Sequence, residues 1–341
     1  MNFWQKLPKP FFVLAPMANV TDSVFRTLFA KYGKPDVTWT EFVSADGLVS
    51  PGREKLLVDL KYSPKERPIV AQLFTGKPEA MKKAAALAAM LGFDGLDINM
   101  GCPDRSVEKQ GGGAAHIREP ENAFKVIQAA REGVQIGIEA SKFKKGHVVP
   151  VSVKTRLGYN RVDMEWLKEL LELHLPALTV HLRTRKEMSD VPAHWELMPE
   201  IVKLRNEISP ETLIIGNGDV MSMEEAREKA GKYGCDGVMI GRGIFGKPWF
   251  FEKEPKDRTP AERLAIMVEH TKLFEKTFGG KKGRDGTVGR GIKNFAVMKK
   301  HFKAYVNGWD GAKELRAKLM EAESAAEVSK IVKKWLVANK Q

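Results

Sequence analysis

The chain has 341 residues, of which 43% are hydrophobic and 29% charged, and a net charge of +13. That length gives room for one large folded domain and a smaller companion, and the ordinary composition excludes a disordered or low-complexity chain. No apolar stretch approaches the length of a membrane-spanning helix, the opening MNFWQKLPKPFFVLAPM lacks the layout of a secretory leader, and two cysteines are too few for a disulfide framework or a zinc site, so a reducing cytoplasm and no metal are expected.

Short apolar runs recur at 12–16, 37–40, 69–74, 95–99, 149–154, 177–181, 213–216 and 237–241. Helical spacing of apolar residues fills the gaps, most clearly at 77–91, 120–142 and 223–233. It is weakest between the second and third runs, where a helix is predicted only near 53–60. Continuous apolar strands alternating with helices predict a parallel sheet buried on both faces, and eight such units predict closure into a (β/α)8 TIM barrel. An open doubly wound sheet would want a glycine-rich phosphate loop after the first run, where Ala15-Pro16-Met17-Ala18 stands instead.

A barrel places its chemistry at the C-terminal ends of its strands. In chain order these ends carry Pro16-Met17-Ala18, Glu41, Gln72, Asn99 with Cys102, Lys154 with Arg156, His181 with Arg183, Asn217-Gly218-Asp219, and Gly241-Arg242. The fourth is the most informative. Cys102 stands where the strand gives way to a charged loop and the triple glycine Gly111-Gly112-Gly113, so a backbone can approach a ligand closely and a thiol can exchange a proton over it. A lone cysteine at a strand end would read as a small apolar side chain; the Asn, the Gly-Pro flanks and the glycines favour chemistry. Small residues and backbone N–H groups at the seventh and eighth ends suit a phosphate, which implies a phosphate-bearing cofactor over the mouth with Lys154 as a fixed positive charge near its middle.

Beyond 255 the texture changes. Thr259 and Pro260 open a helical pattern that closes on Gly279-Gly280, a Gly/Lys/Arg-rich loop covers 280–289, and a second helix is predicted over 290–306. In that second helix Ile292, Phe295, Met298, Phe302 and Tyr305 are expected inward, and Lys293, Lys299, Lys300 and Lys303 outward; patterns at 312–320 and 325–338 complete a small bundle. Residues 256–341 carry +10 of the +13 charge, leaving +3 for residues 1–255. A charge so concentrated beside a catalytic-looking domain is the footprint expected of a nucleic-acid surface.

Taken together, LAPMANVTDSVFR (14–26), PIVAQLF (68–74), DGLDINMGCPDRSVEKQGGGAAHI (94–117), VPVSVKTRLG (149–158), TVHLRTR (179–185), IGNGDV (215–220) and DGVMIGRG (236–243) resemble the flavin-dependent tRNA-dihydrouridine synthases of bacterial type over essentially the whole chain. The resemblance implies an FMN-binding barrel over 1–255, a helical tRNA-binding domain over 256–341, and reduction of the uracil C5–C6 bond of tRNA uridines with NADPH or NADH as electron source. It also implies roles by position. Pro16, Met17 and Ala18 match the segment along the flavin ring, Gln72 and Lys154 its pyrimidine edge, and His181 the ribityl-phosphate side. Asn217, Gly218, Asp219, Gly241 and Arg242 match the phosphate end, Cys102 the general acid that protonates C5, and Asn99 and Arg156 the residues that meet the uracil. A monomer is expected.

Two places depart from the family pattern. Asn19 stands where Gly is frequent, and the loop after the sixth run carries Leu182, Ser189 and Val191 in place of a glycine, an aromatic and a glycine. The second departure bears on which uridine is chosen. Alternatives are an FMN-dependent dehydrogenase of the dihydroorotate or dihydropyrimidine kind acting on a free base, for which a basic helical tail has no use, the same reaction on rRNA, and an RNA-binding protein with a vestigial barrel.

Overall fold

A computed structural model describes residues 2–141, 148–280 and 291–339. Eight strands, β1 (Phe11–Leu14), β2 (Thr38–Ser44), β3 (Ile69–Phe74), β4 (Gly95–Met100), β5 (Val151–Arg156), β6 (Ala177–His181), β7 (Leu213–Asn217) and β8 (Gly237–Ile240), pair in parallel in the order β1-β8-β7-β6-β5-β4-β3-β2. A parallel bridge between Val13 and Val37 joins β1 to the segment entering β2 and completes the circuit. The predicted (β/α)8 barrel is therefore the observed fold. β3 and β4 are buried at every residue, as strands covered on both faces must be, which is why they read as unbroken apolar runs.

The helices in chain order are α1 (Ser23–Tyr32), α2 (Ala45–Leu48), α3 (Pro78–Met90), α4 (Arg105–Glu108), α5 (Pro120–Ala140), α6 (Met164–Glu172), α7 (Met198–Ile208), α8 (Met223–Tyr233), α9 (Pro260–Phe278), α10 (Val297–Tyr305), α11 (Ala312–Glu321) and α12 (Ala325–Ala338). Several begin as their sequences demand. Thr259 and Glu262 form a reciprocal capping box at α9, Pro starts α3, α5 and α9, and Gly234 ends α8 at φ 72°.

Three expectations are corrected. The helix predicted near 53–60 is a single 3-10 turn, Arg53–Lys55, followed by turns, because its start at Gly52 has no side-chain cap and its first residues lie in water. β2 runs on to Ser44, with a register shift between Trp39 and Phe42, so Glu41 lies within the strand and not at its end. The helix predicted from 290 begins at Val297: Asn294 takes the backbone N–H of Ala296 at 2.8 Å, a local bond that competes with helix, and Ile292 is 58% exposed instead of inward. The basic loop over 281–289 and the end of the 120–142 pattern lie outside the described residues.

Packing divides the chain into two compact units, Met1–Ser23 with Pro35–Gly243 and Val24–Lys34 with Ile244–Gln341. In the second unit Phe25 stacks on His270 at 4.9 Å, His270 meets His301 edge-on at 4.6 Å, and Lys31 and Tyr32 both bond Glu269. Burial holds both imidazoles neutral, His301 pushed down to about 3. No described helix is long and apolar enough to cross a membrane.

Candidate active site

At the C-terminal ends of the strands lies a cavity of about 260 Å³, walled by Pro16, Met17, Lys154, His181, Asn217, Gly218, Asp219, Gly241 and Arg242 among others. Nine of the residues singled out from the sequence thus share one wall. Ala18, Gln72, Asn99, Cys102 and Arg156 are not part of it. Ala18 is exposed in the turn after β1, and Gln72, Asn99 and Arg156 are buried in or at the ends of their strands.

The first strand end is locked from two directions. Met17 N–H donates to the Thr21 hydroxyl at 2.9 Å, and Asn19 N–H donates to the Glu41 carboxylate, so the in-strand position of Glu41 serves to hold this turn. Asn19 sits at φ 55°, in the left-handed region that Gly adopts freely and Asn tolerates better than most residues. The departure from Gly at this position is therefore one that the left-handed backbone here tolerates.

The phosphate end is built on Asp219, itself at φ 47°. Its carboxylate pairs with Arg183, accepts the Ala193 N–H at 2.9 Å and meets Arg242 at 2.5 Å. Burial alone would raise its pKa, but the bond from Arg183 and the N–H of Ala193 hold it below the ordinary carboxylate range. Arg183, 2% exposed, also donates to Val191 O at 2.6 Å and faces His181 Nε2 at 3.2 Å. Burial, with the cations Arg156, Lys154 and Arg183 around it, keeps His181 neutral. Two arginines against one aspartate leave a net positive charge here. A side chain at Gly218 (φ 134°) would strike Ala193 Cβ at 2.7 Å, whereas one at Gly241 would make only ordinary contact with Met17 and Ala15 at the wall.

Lys154 follows three apolar or small buried residues on β5 and faces the cavity. Burial, and then Arg156, bring its pKa down to about 8, opposed by the negative charge of Asp97. Asp97, fully buried on β4, is pushed up to about 6 by burial against its bonds from Gln72 and Ser152. Asn99 Oδ1 accepts the N–H groups of Gly101 and Cys102 at 3.2 and 2.9 Å. Arg156 donates Nε to Gly101 O at 2.7 Å and Nη1 to Thr184 O and Met188 O at 2.9 and 3.0 Å. Cys102 is half-buried, and burial raises its thiol pKa. The last residue of the triple glycine packs directly against it: a Cβ on Gly113 (φ 59°) would stand 2.5 Å from Cys102 O. Cys235, by contrast, is buried at the junction of α8 and β8, its thiol pushed up to about 11 by burial.

Sequence reasoning passed over Arg183 and Asp97 as site residues. Arg183 stood among the polar strand ends, but nothing in the sequence tied it to Asp219. Asp97 looked like one polar residue inside an apolar strand, which was itself the signal. From the divergent loop, Ser189 reaches the cavity wall, Val191 holds Arg183 through its carbonyl, and Leu182 is buried.

The family model for dihydrouridine synthase matches residues 13–340. A probable tRNA-dihydrouridine synthase of Staphylococcus aureus (strain COL) is 44% identical over 96% of this chain and 93% of its own length. Its namesake in Staphylococcus epidermidis (strain ATCC 35984) is 43% identical over 97% and 95%, and probable tRNA-dihydrouridine synthase 2 of Bacillus subtilis (strain 168) is 43% identical over 96% and 94%. Among solved structures, 6-hydroxypseudooxynicotine amine oxidase of Pseudomonas geniculata aligns with 77% of this chain and 50% of its own at 12% identity and a TM-score of 0.50, a likeness of fold alone.

Proposed function

The chain belongs to the dihydrouridine synthase family, and from that premise we propose that it is a flavin-dependent tRNA-dihydrouridine synthase that holds FMN in the barrel mouth. The observation that carries the reading is the cavity itself, where a cation at Lys154, a neutral His181 and the glycine-opened ends of β7 and β8 share one wall. The donor set fits the group: Asn217, Gly218, Asp219, Gly241 and Arg242 offer backbone N–H groups and net positive charge for a phosphate, and Lys154 offers a cation for the pyrimidine edge, with Gln72, buried and bonded to Asp97 and Asn99, behind it. Pro16, Met17 and Ala18 form the apolar turn for the ring to lie along. When bound, the flavin supplies the hydride that reduces the uracil C5–C6 bond, after recharging by NADPH or NADH.

The chain's own residues do the rest. Cys102, protonated at neutral pH because burial raises its pKa, donates the proton at C5. Asn99 holds the Cys102 backbone through Oδ1 and has one Nδ2–H beyond its bond to Gln72 for the base, and Arg156 keeps Nη2, with two N–H donors, for a uracil carbonyl where charge develops. The target base lies within folded tRNA and is drawn out into the mouth, a cost that grip on the backbone offsets. Residues 256–341 supply that grip. The enzyme works as a monomer in the cytoplasm, without a metal.

Denaturing the purified protein should release one FMN per chain; a folded protein that carries no flavin and shows no saturable FMN binding would rule the cofactor out. For the grip, Lys299, Lys300 and Lys303 changed together to Gln should weaken tRNA binding. They should also flatten its dependence on salt by about one unit for each phosphate no longer neutralised, while FMN stays bound. Unchanged affinity and slope would move the RNA surface to the rim around Arg105, Lys109 and Arg183–Lys186.

A further inference from the structure

Behind Cys102 runs a chain of buried side chains whose direction is fixed at both ends. At its near end Asn99 accepts the backbone N–H groups of Gly101 and Cys102. A backbone N–H can only donate, so the accepting atom is the amide oxygen and Asn99 Nδ2 must donate. It donates to Gln72 Oε1 at 3.1 Å, which turns Gln72 Nε2 toward Asp97 Oδ2 at 2.7 Å. The other Asp97 oxygen accepts the Ser152 hydroxyl at 2.6 Å. Gln72, Asp97 and Ser152 are register partners on β3, β4 and β5, and none is more than 2% exposed.

Each amide in this chain could turn over without changing its shape. The turned-over chain would set Gln72 oxygen against the Asp97 carboxylate and Asn99 Nδ2 against two N–H donors. An ionised carboxylate accepts and never donates, so it forces on Gln72 the same sense that the two backbone N–H groups force on Asn99. We propose that Asp97 is a positioning residue: its carboxylate anchors the far end of the Asp97–Gln72–Asn99 chain in the sense the backbone N–H groups require, and so holds the Gly101–Cys102 backbone, and with it the thiol, in place. The catalytic consequence rests on the proton-donor role proposed for Cys102.

The test is amide exchange at Gly101 and Cys102 in the purified full-length chain for Asp97→Ala, Gln72→Leu and the double variant. Each single change should speed exchange at these two amides about tenfold, the worth of one net hydrogen bond. The double variant should add nothing beyond either, since both cut the same chain, and amides elsewhere in the strands should keep their rates. Wild-type rates in Asp97→Ala, additive effects, or a uniform rise across the barrel would each overturn the proposal. Should Asp97→Ala fail to fold, Asp97→Asn keeps the volume but offers a donor as readily as an acceptor. It should speed the same two amides about threefold, a fraction of a full hydrogen bond, and no change would overturn the proposal. The readout needs neither flavin nor RNA, so loss of the Cys102 assignment would leave it standing, and its failure would leave that assignment standing.

Discussion

Cys102→Ala is expected to lower RNA reduction on the order of 10²-fold or more, the usual worth of a positioned proton donor, while leaving flavin binding and its reduction by NADPH near normal. The thiol is half-buried and its pKa raised, so it stays in the acid form through neutral pH. The sign of the pH dependence follows. A raised thiol pKa keeps the donor present below it and loses it above, and Lys154, its pKa near 8, loses its charge on the same alkaline side. The RNA half-reaction should therefore be level through neutral pH and fall as pH rises past about 8. Cys235→Ala, at the junction where α8 leads into β8 and outside the cavity lining, should behave as wild type. Equal losses in the two variants, or a rate that falls toward acid, would remove Cys102 from its role.

Asp219→Ala should be the most damaging change at the phosphate end. Arg183 is 2% exposed, and its guanidinium is paired with the Asp219 carboxylate. Removing one member of a buried pair costs about 3–5 kcal/mol in general; the Asp219 edge open to solvent argues for the lower end, about 3 kcal/mol. Alanine at φ 47° adds about 1 kcal/mol of backbone strain, which Asn, at ease in the left-handed region, avoids. Urea unfolding should show the loss in Asp219→Ala and roughly half of it in Asp219→Asn, and both should bind FMN more weakly. A stability within about 0.5 kcal/mol of wild type would show that Arg183 finds other partners.

Much of the barrel was legible because parallel strands covered on both faces must be apolar throughout. Ile69–Phe74 and Ala177–His181 are bounded in the structure as the sequence has them, and the strand ends carried the polar residues that wall the cavity. What escaped was decided by partners distant in sequence. Glu41 looked like a strand end, yet a register shift places it inside β2 to hold Asn19, 22 residues earlier. Asn19, standing where Gly is frequent, has its reason in a φ of 55°, which the sequence does not display. The start of α10 was set by one side-chain bond from Asn294, against a hydrophobic pattern that promised seven more residues. Arg183 and Asp97 were visible as charged residues beside apolar ones, but their partners lie elsewhere in the chain, Asp219 just past β7 and Gln72 on β3. Spacing along one strand carries no information about those pairings.

The most direct test of the proposed activity is to give the purified, flavin-loaded protein NADPH and an unmodified tRNA transcript, and to weigh the nucleosides afterwards. Specific uridines should gain the mass of one hydrogen molecule, free uracil and orotate should not, and an rRNA fragment supplied in place of the tRNA should stay unchanged. Reduction of the free bases with the tRNA untouched would contradict the proposed activity and make the chain a small-molecule dehydrogenase.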